Sequence, residues 1–205
     1  MADASLNGRV DLKLIADLVE DRSRVLDLGC GDGTLLELLV SQKQVVGRGV
    51  EISEQGVREC IAKGLTVFHG DLDEGLGDYP DDSFDYVILS QTLQAVHKPA
   101  LVLQEMARVG RVGIVSFPNF GYWKIRWQLL VKGRMPKLDY LPYEWHDTPN
   151  IHLLTVKDFL DFCKCHNLII EKAFFLTDGH QIRMFPNLLA KIAVFVVRSG
   201  HKGGG

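Results

Sequence analysis

Residues 24–39, RVLDLGCGDGTLLELL, constrain this chain more than any other stretch. A short apolar run enters three glycines, Gly29, Gly31 and Gly33, and a leucine-rich helical pattern leaves them. A glycine-rich turn between a strand and a helix brings backbone N–H groups and a helix N-terminus against a ligand. Three ligand classes compete for such a turn. A P-loop needs G-x-x-x-x-G-K followed by Ser or Thr, and no lysine follows Gly33. A dinucleotide loop reads G-x-G-x-x-G. Gly29 and Gly31 fit it, but the third place holds Thr34, with a glycine one residue early at Gly33. Asp27 stands before the loop and Asp32 within it. Two carboxylates repel a pyrophosphate and suit a ligand end that carries positive charge. S-adenosylmethionine, with an ammonium beside a sulfonium, has such an end.

The rest of the chain alternates strand and helix patterns. VDLKLIADLV has helical apolar spacing at Leu12, Ile15, Ala16 and Val19. VVGRGVEI reads as a strand, and Ser53 opens a helix that Gly64 stops. LTVFHGD and FDYVILS read as strands, PALVLQEMARVG as a helix with a proline suited to its first turn, and RVGIVSFPN as a further strand. This alternation implies βαβ units and a mostly parallel sheet. After Pro118 the order breaks into an aromatic, proline-containing insert at about 119–154. TVKDFLDFCKCH then reads as a helix with Thr155 and Asp158 as a capping box. LIIEKAFFL and LLAKIAVFVVR follow without a useful helix between them, so they are expected as antiparallel neighbours. The expected architecture is one α/β domain over 1–200, a mostly parallel seven-stranded sheet with an antiparallel C-terminal hairpin. Residues 201–205 are expected as a disordered tail.

A 205-residue chain can build its own core, and four scattered cysteines do not read as a disulfide framework. The first twenty residues lack a basic start followed by an apolar run, and no apolar run approaches the roughly 20 residues of a membrane span. A cytoplasmic protein without membrane association is expected. Up to Glu105 there are 19 acids and 9 bases; from Met106 on, 7 acids and 14 bases. The stretch from Met106 to Leu138 has no acid and carries Arg108, Arg111, Lys124, Arg126, Lys132, Arg134 and Lys137. With no nucleic-acid motif around it, a solvated face is the favoured reading over nucleic-acid binding.

VLDLGCGDG resembles the first motif of class I S-adenosylmethionine-dependent methyltransferases, so the expected fold is Rossmann-like. The resemblance continues in register. It implies that Glu51, 18 positions after Gly33, accepts the ribose hydroxyls, and that Asp71 faces the adenine amino group. It further implies that Asp85 supports the glycine loop while Ser90 and Gln91 line the cleft. The expected binding set for S-adenosylmethionine or S-adenosylhomocysteine is Asp27, Gly29, Cys30, Gly31, Gly33, Glu51, Ile52, Asp71, Leu72, Ser90 and Gln91. A closer resemblance covers nearly the whole chain. SQTLQAV, EMARVGRVGIVSFPNFGYWKIRWQL, GRMP and LPYEWHDTPNIHLLTVKDF are together similar to the MetW family of methionine biosynthesis. That resemblance implies a methyltransferase-like domain that works with MetX, a homoserine O-acyltransferase. It does not by itself establish methyl transfer.

The catalytic signs are sparse. SQTLQAV stands where nucleic-acid amino-methylating enzymes carry an Asn/Asp-Pro-Pro-aromatic run, and SFPN follows the wrong strand. His97, His146 and His152 are candidate bases, with ordinary hydrogen-bonded roles favoured. Tyr140, Tyr143, Trp145 and Asp147 could line a substrate pocket or pack in a core. Cys163 and Cys165 lie two apart on a helix, a spacing that points them to different faces and against a metal. In the insert, Trp123, Arg126, Trp127, Leu130, Val131 and GRMPK form either a docking face for the acyltransferase or a lid packed on its own sheet. The leading reading is a ligand-binding partner and activator of that enzyme. The alternative is a methyltransferase acting on a small molecule.

Overall fold

The computed structural model describes residues 9–200, so the expected disordered tail lies outside the described residues. Five strands run parallel: β1 (Arg24–Leu28), β2 (Val46–Glu51), β3 (Val67–His69), β4 (Phe84–Ser90) and β5 (Gly110–Pro118). Three more complete the sheet: β6 (Leu168–Thr177), β7 (His180–Gln181) and β8 (Ile192–Ser199). The order is β3-β2-β1-β4-β5-β8-β6-β7. β8 runs antiparallel between β5 and β6, which makes the expected C-terminal antiparallel pair. The eighth strand, β7, pairs only at Leu176 with Gln181 and Thr177 with His180, too short a run for apolar periodicity to reveal.

β4 shows why the sheet is buried on both faces. Phe84, Val87 and Leu89 enter one core cluster, and Tyr86 and Ile88 enter the other. A parallel strand covered on both sides needs apolar residues on both faces, as Tyr86 to Leu89 supply. On one face lie α1 (Val10–Leu18) and α2 (Thr34–Lys43), with Leu12, Ile15, Ala16, Leu35 and Leu39 buried. On the other lie α4 (Pro99–Val109) and α6 (Val156–Cys165), burying Val102, Leu103, Met106, Val156 and Phe159. The helix α3 (Glu54–Ala62) links β2 to β3 and starts at Ser53, whose side chain accepts from the Gly56 N–H. Both halves of the expected capping box at Thr155 and Asp158 are present. Among the described residues no helix is long and apolar enough to cross a membrane.

The insert between β5 and α6 carries one helix, α5 (Trp123–Lys132), and a small core of Tyr122, Ile125 and Leu141. Asn119 fastens it. This fully buried amide donates to the carbonyls of Ala190 and Asn187 near the short α7 (Pro186–Leu189), and its Oδ1 accepts from Gly121 and Val156. Lys191 adds a second tie, bonding Asp139 of the insert at 3.1 Å and Asp178 at 2.6 Å. The parallel strands leave their C-terminal ends open where β1 and β4 diverge, the switch point at which sheets of this kind bind ligands.

Candidate functional site

The glycine loop leaves β1 in the left-handed region three times, with φ of +72° at Gly29, +56° at Gly31 and +76° at Gly33. The Gly29 and Cys30 N–H groups donate to the Val50 carbonyl, which binds the loop to β2. Glu51, at the end of β2, completes the frame. Its Oε2 accepts from the Gly31 N–H and its Oε1 from the Ser53 N–H, both at 2.8 Å. A carboxylate offers about four lone-pair sites, so two remain for hydroxyl donors. A Cβ on Gly31 would meet nothing within 4 Å, so its α-carbon faces open space.

Asp27 lies beneath this loop. It is 1% exposed, and its Oδ1 has no hydrogen-bond partner. Burial pushes its carboxyl up to about 7; nearby Arg9 opposes the rise and Glu51 adds to it. A buried oxygen without a donor suits the cationic end of a ligand.

The end of β4 supplies the other wall. Ser90 is buried, and Gln91 stands at φ +55°, a strained conformation for a non-glycine residue. Gln91 directly, and Ser90 through Arg9, are tied to one carboxylate that sequence reasoning missed: Asp11 of α1, fully buried. Asp11 Oδ2 accepts from Gln91 Nε2 and Ser116 Oγ at 3.1 Å each and from Arg9 Nη2 at 2.8 Å, and the same Arg9 nitrogen donates to Ser90 Oγ at 2.6 Å. Beyond β2, Ile52 is 62% exposed, an apolar surface beside the loop. Asp71 caps a one-turn 3-10 helix by accepting from the Asp73 N–H, and the Leu72 side chain is buried in the core. The structure thus gathers Asp27, Gly29, Cys30, Gly31, Gly33 and Glu51 into one loop frame and sets Ser90 and Gln91 on the neighbouring strand end.

Several expected roles change. Asp85 does not support the glycine loop. It sits at the start of β4 and accepts from the Arg24 N–H at 2.9 Å and guanidinium at 3.0 Å, at the opposite end of β1. That arginine holds its carboxyl below the usual range. Asp32 turns to the start of α2, accepting from the Thr34 N–H at 3.0 Å and hydroxyl at 2.7 Å, so of the two loop acids only Asp27 is buried. Among the described residues, three of the seven bases in the acid-free stretch meet acids in space: Arg108 with Glu105 and Asp81, Arg111 with Asp85, Lys137 with Glu144. Arg126 donates to the carbonyls of Gly121 and Asn187, so it fastens α5. His97 and His146 are exposed, the latter edge-on to Trp145.

A second missed residue is Gly56, in the first turn of α3. A Cβ there would lie 2.7 Å from the Gly31 carbonyl oxygen and 2.9 Å from Glu51 Cγ. α3 therefore packs directly on the loop frame, and only tertiary contact shows it. We expect Gly56→Ala to lower stability by about 1–3 kcal/mol through overpacking, measured by denaturant melts. Gly31→Val should instead leave the protein folded, with a strain cost of about 1–2 kcal/mol, and fill the open space. Ligand titration alongside melting separates the two effects.

The comparisons with known proteins agree with this fold. A solved S-adenosylmethionine-dependent methyltransferase from Mesorhizobium loti superposes with TM-score 0.69 at 22% identity, covering 96% of this chain and 98% of that one. The cyclase SpnF superposes with TM-score 0.67 at 15% identity, covering 94% and 81%. At these identities the likeness shows the fold alone, a Rossmann-like class I methyltransferase fold. In sequence, the bifunctional methionine biosynthesis protein MetXA/MetW of Rhodopirellula baltica is 38% identical over 206 residues, covering 94% of this chain. The chain spans 33% of that relative's length. The model of the family described as methionine biosynthesis protein MetW matches residues 9–197, nearly all of the chain, which therefore belongs to the MetW family.

Proposed function

We propose that this chain binds S-adenosylmethionine or S-adenosylhomocysteine at residues 27–33 and acts as partner and activator of a MetX-type homoserine O-acyltransferase. The observation that carries the partnership is the Rhodopirellula baltica relative, whose name joins MetXA and MetW in one polypeptide. The residues present fit the ligand. The free Oδ1 of Asp27 suits the ammonium, the spare lone pairs of Glu51 suit the ribose hydroxyls, and exposed Ile52 suits the face of the adenine. Asp71 stands near the adenine edge in this reading, and Ser90 and Gln91 line the far wall. Through the 119–154 insert, exposed Trp123, Trp127 and Leu130 offer an apolar docking face.

S-adenosylmethionine, when bound, supplies an electrophilic methyl group. The chain's own residues favour binding over transfer. The thiols of Cys30 in the loop and Cys60 in α3 lie 3.8 Å apart, and burial pushes both above the usual range, which keeps them protonated and weakly nucleophilic. Transfer to a small molecule is the alternative, and of its candidate bases His97 and His146 are exposed and His152 is half-buried.

Titration calorimetry tests the ligand. S-adenosylhomocysteine should bind the wild type, and Glu51→Ala should lose roughly 1.5–3 kcal/mol, as for hydrogen bonds to a charged group. Glu51 also holds Gly31 and Ser53, so the variant's melting is recorded in parallel. Absence of heat with either ligand on folded wild-type protein would sink the cofactor reading.

A further inference from the structure

The helix α5 turns an apolar face outward. Trp123, Trp127, Leu130 and Val131 stand at i, i+4, i+7 and i+8, and they are 42%, 59%, 79% and 60% exposed. At about 3.6 residues per turn these side chains fall within an arc of about 100°. Ile125 lies on the opposite side and is 2% exposed, so the helix is held by that side. On the same wheel Lys124 and Arg126 flank the apolar arc, one on each edge. α5 contains no acid. Lys124 lies over the Trp123 ring, and Arg126 donates to main-chain carbonyls, so among the described residues neither base forms an ion pair. The Asp139 carboxylate senses Lys124 but is bonded by Lys191. An apolar patch with a charged rim on a soluble protein marks a surface that something covers.

We infer that α5 docks as an inserted helix: its outward face lies in an apolar groove of the acyltransferase, and the rim of that groove is acidic. This docking mode rests on the partnership proposed above and adds the chemistry of the partner's surface. Anchors at i, i+4 and i+7 are the spacing by which a helix lies in a groove. The two bases set the sign of the rim, since carboxylates there complete charges that this chain leaves open. Charge also argues against a second copy of this chain as the occupant. A two-fold contact of α5 with α5 would bring two basic flanks together with no acid on either helix to offset them. A flat anionic bilayer would satisfy the same charge. The partnership favours a protein, and vesicles test the bilayer.

The test follows association of the full chain with a purified MetX-type acyltransferase by biolayer interferometry. The wild-type association rate should fall about tenfold or more as salt rises from about 30 to about 300 mM, because opposite charges steer the encounter. Lys124→Glu should slow association about fivefold at low salt and flatten that salt dependence. Leu130→Asn should leave the association rate within about threefold and speed dissociation about tenfold or more. Lys124 and Leu130 are exposed, so both variants should melt with the wild type. A wild-type complex whose association ignores both salt and Lys124→Glu would overturn the acidic rim and leave the partnership standing. Unchanged dissociation of Leu130→Asn would overturn the inserted helix in the same way. Absence of any wild-type complex would overturn the docking mode and the partnership together. Self-association of the isolated chain, or its binding to phosphatidylglycerol vesicles, lost in Leu130→Asn would give the face to a second copy or to lipid and overturn the docking mode.

Discussion

Asp27→Asn is expected to make the ligand-free protein more stable at pH 8 while removing its affinity for S-adenosylmethionine. The carboxyl is buried without a partner on Oδ1, and burial raises its pKa from 3.8 to about 7. Between those values the folded state binds the extra proton. The contribution to stability is therefore full below about pH 4 and is lost as pH rises through 7. At pH 8 the ionised group costs up to about 4 kcal/mol, at roughly 1.4 kcal/mol for each pH unit between the two values. Asparagine removes that cost, so the variant's advantage in scanning calorimetry should be large at pH 8 and small at pH 4. Ligand binding should run the other way, since an ammonium pairs with the ionised form. Affinity of the wild type should rise from pH 6 to pH 8, and the variant should show no such rise. A variant that melts below the wild type at both pH values would contradict this assignment.

Trp127→Ala is expected to leave the isolated protein's melting unchanged and to weaken the complex with the acyltransferase by about 2 kcal/mol or more, as truncation of an exposed aromatic anchor does. Trp127 is 59% exposed, and of the α5 side chains Ile125 is the buried one. A lid packed on its own sheet would bury the tryptophans; here they face outward. Surface changes of this kind alter stability by about 0.5 kcal/mol or less. Arg126→Glu is a poorer probe of the same face. Its guanidinium holds the Gly121 and Asn187 carbonyls, so reversal of its charge should loosen the start of α5 as well. Paired melting and association measurements on Trp127→Ala separate the readings: a drop in melting temperature with intact association would return α5 to a purely structural role.

The sheet was legible because its strands are covered on both faces. Within FDYVILS the four residues Tyr86 to Leu89 run apolar without a break, and the ends of the segment coincide with β4. Helix boundaries marked by local chemistry were legible for the same reason: Ser53, Thr155 and Pro99 all act within their own first turns. Asp85 failed because spacing along a strand does not say which end meets the loop. It stands five residues before Ser90, about 17 Å along an extended strand, and Arg24 claims it. Asp11 and Gly56 were illegible because their partners lie far away in sequence. Asp11 meets Gln91 and Ser116, and Gly56 meets Gly31. The charge asymmetry along the chain is partly closed in space, since Arg108 and Arg111 of the basic half reach Asp81 and Asp85 of the acidic half.

The central claim is that this chain joins a homoserine O-acyltransferase and raises its activity under control of the ligand at the glycine loop. If partner and ligand share one equilibrium, each must change the other's affinity by the same factor. The direct measurement is acyl transfer by purified MetX-type enzyme titrated with this chain, with and without S-adenosylmethionine, using wild type and Asp27→Asn. The account predicts a saturable rise in rate with the wild type and a half-point that shifts with S-adenosylmethionine. With Asp27→Asn the rise should persist and the shift should vanish. A rate independent of added chain, with no complex detected between the two proteins, would contradict it.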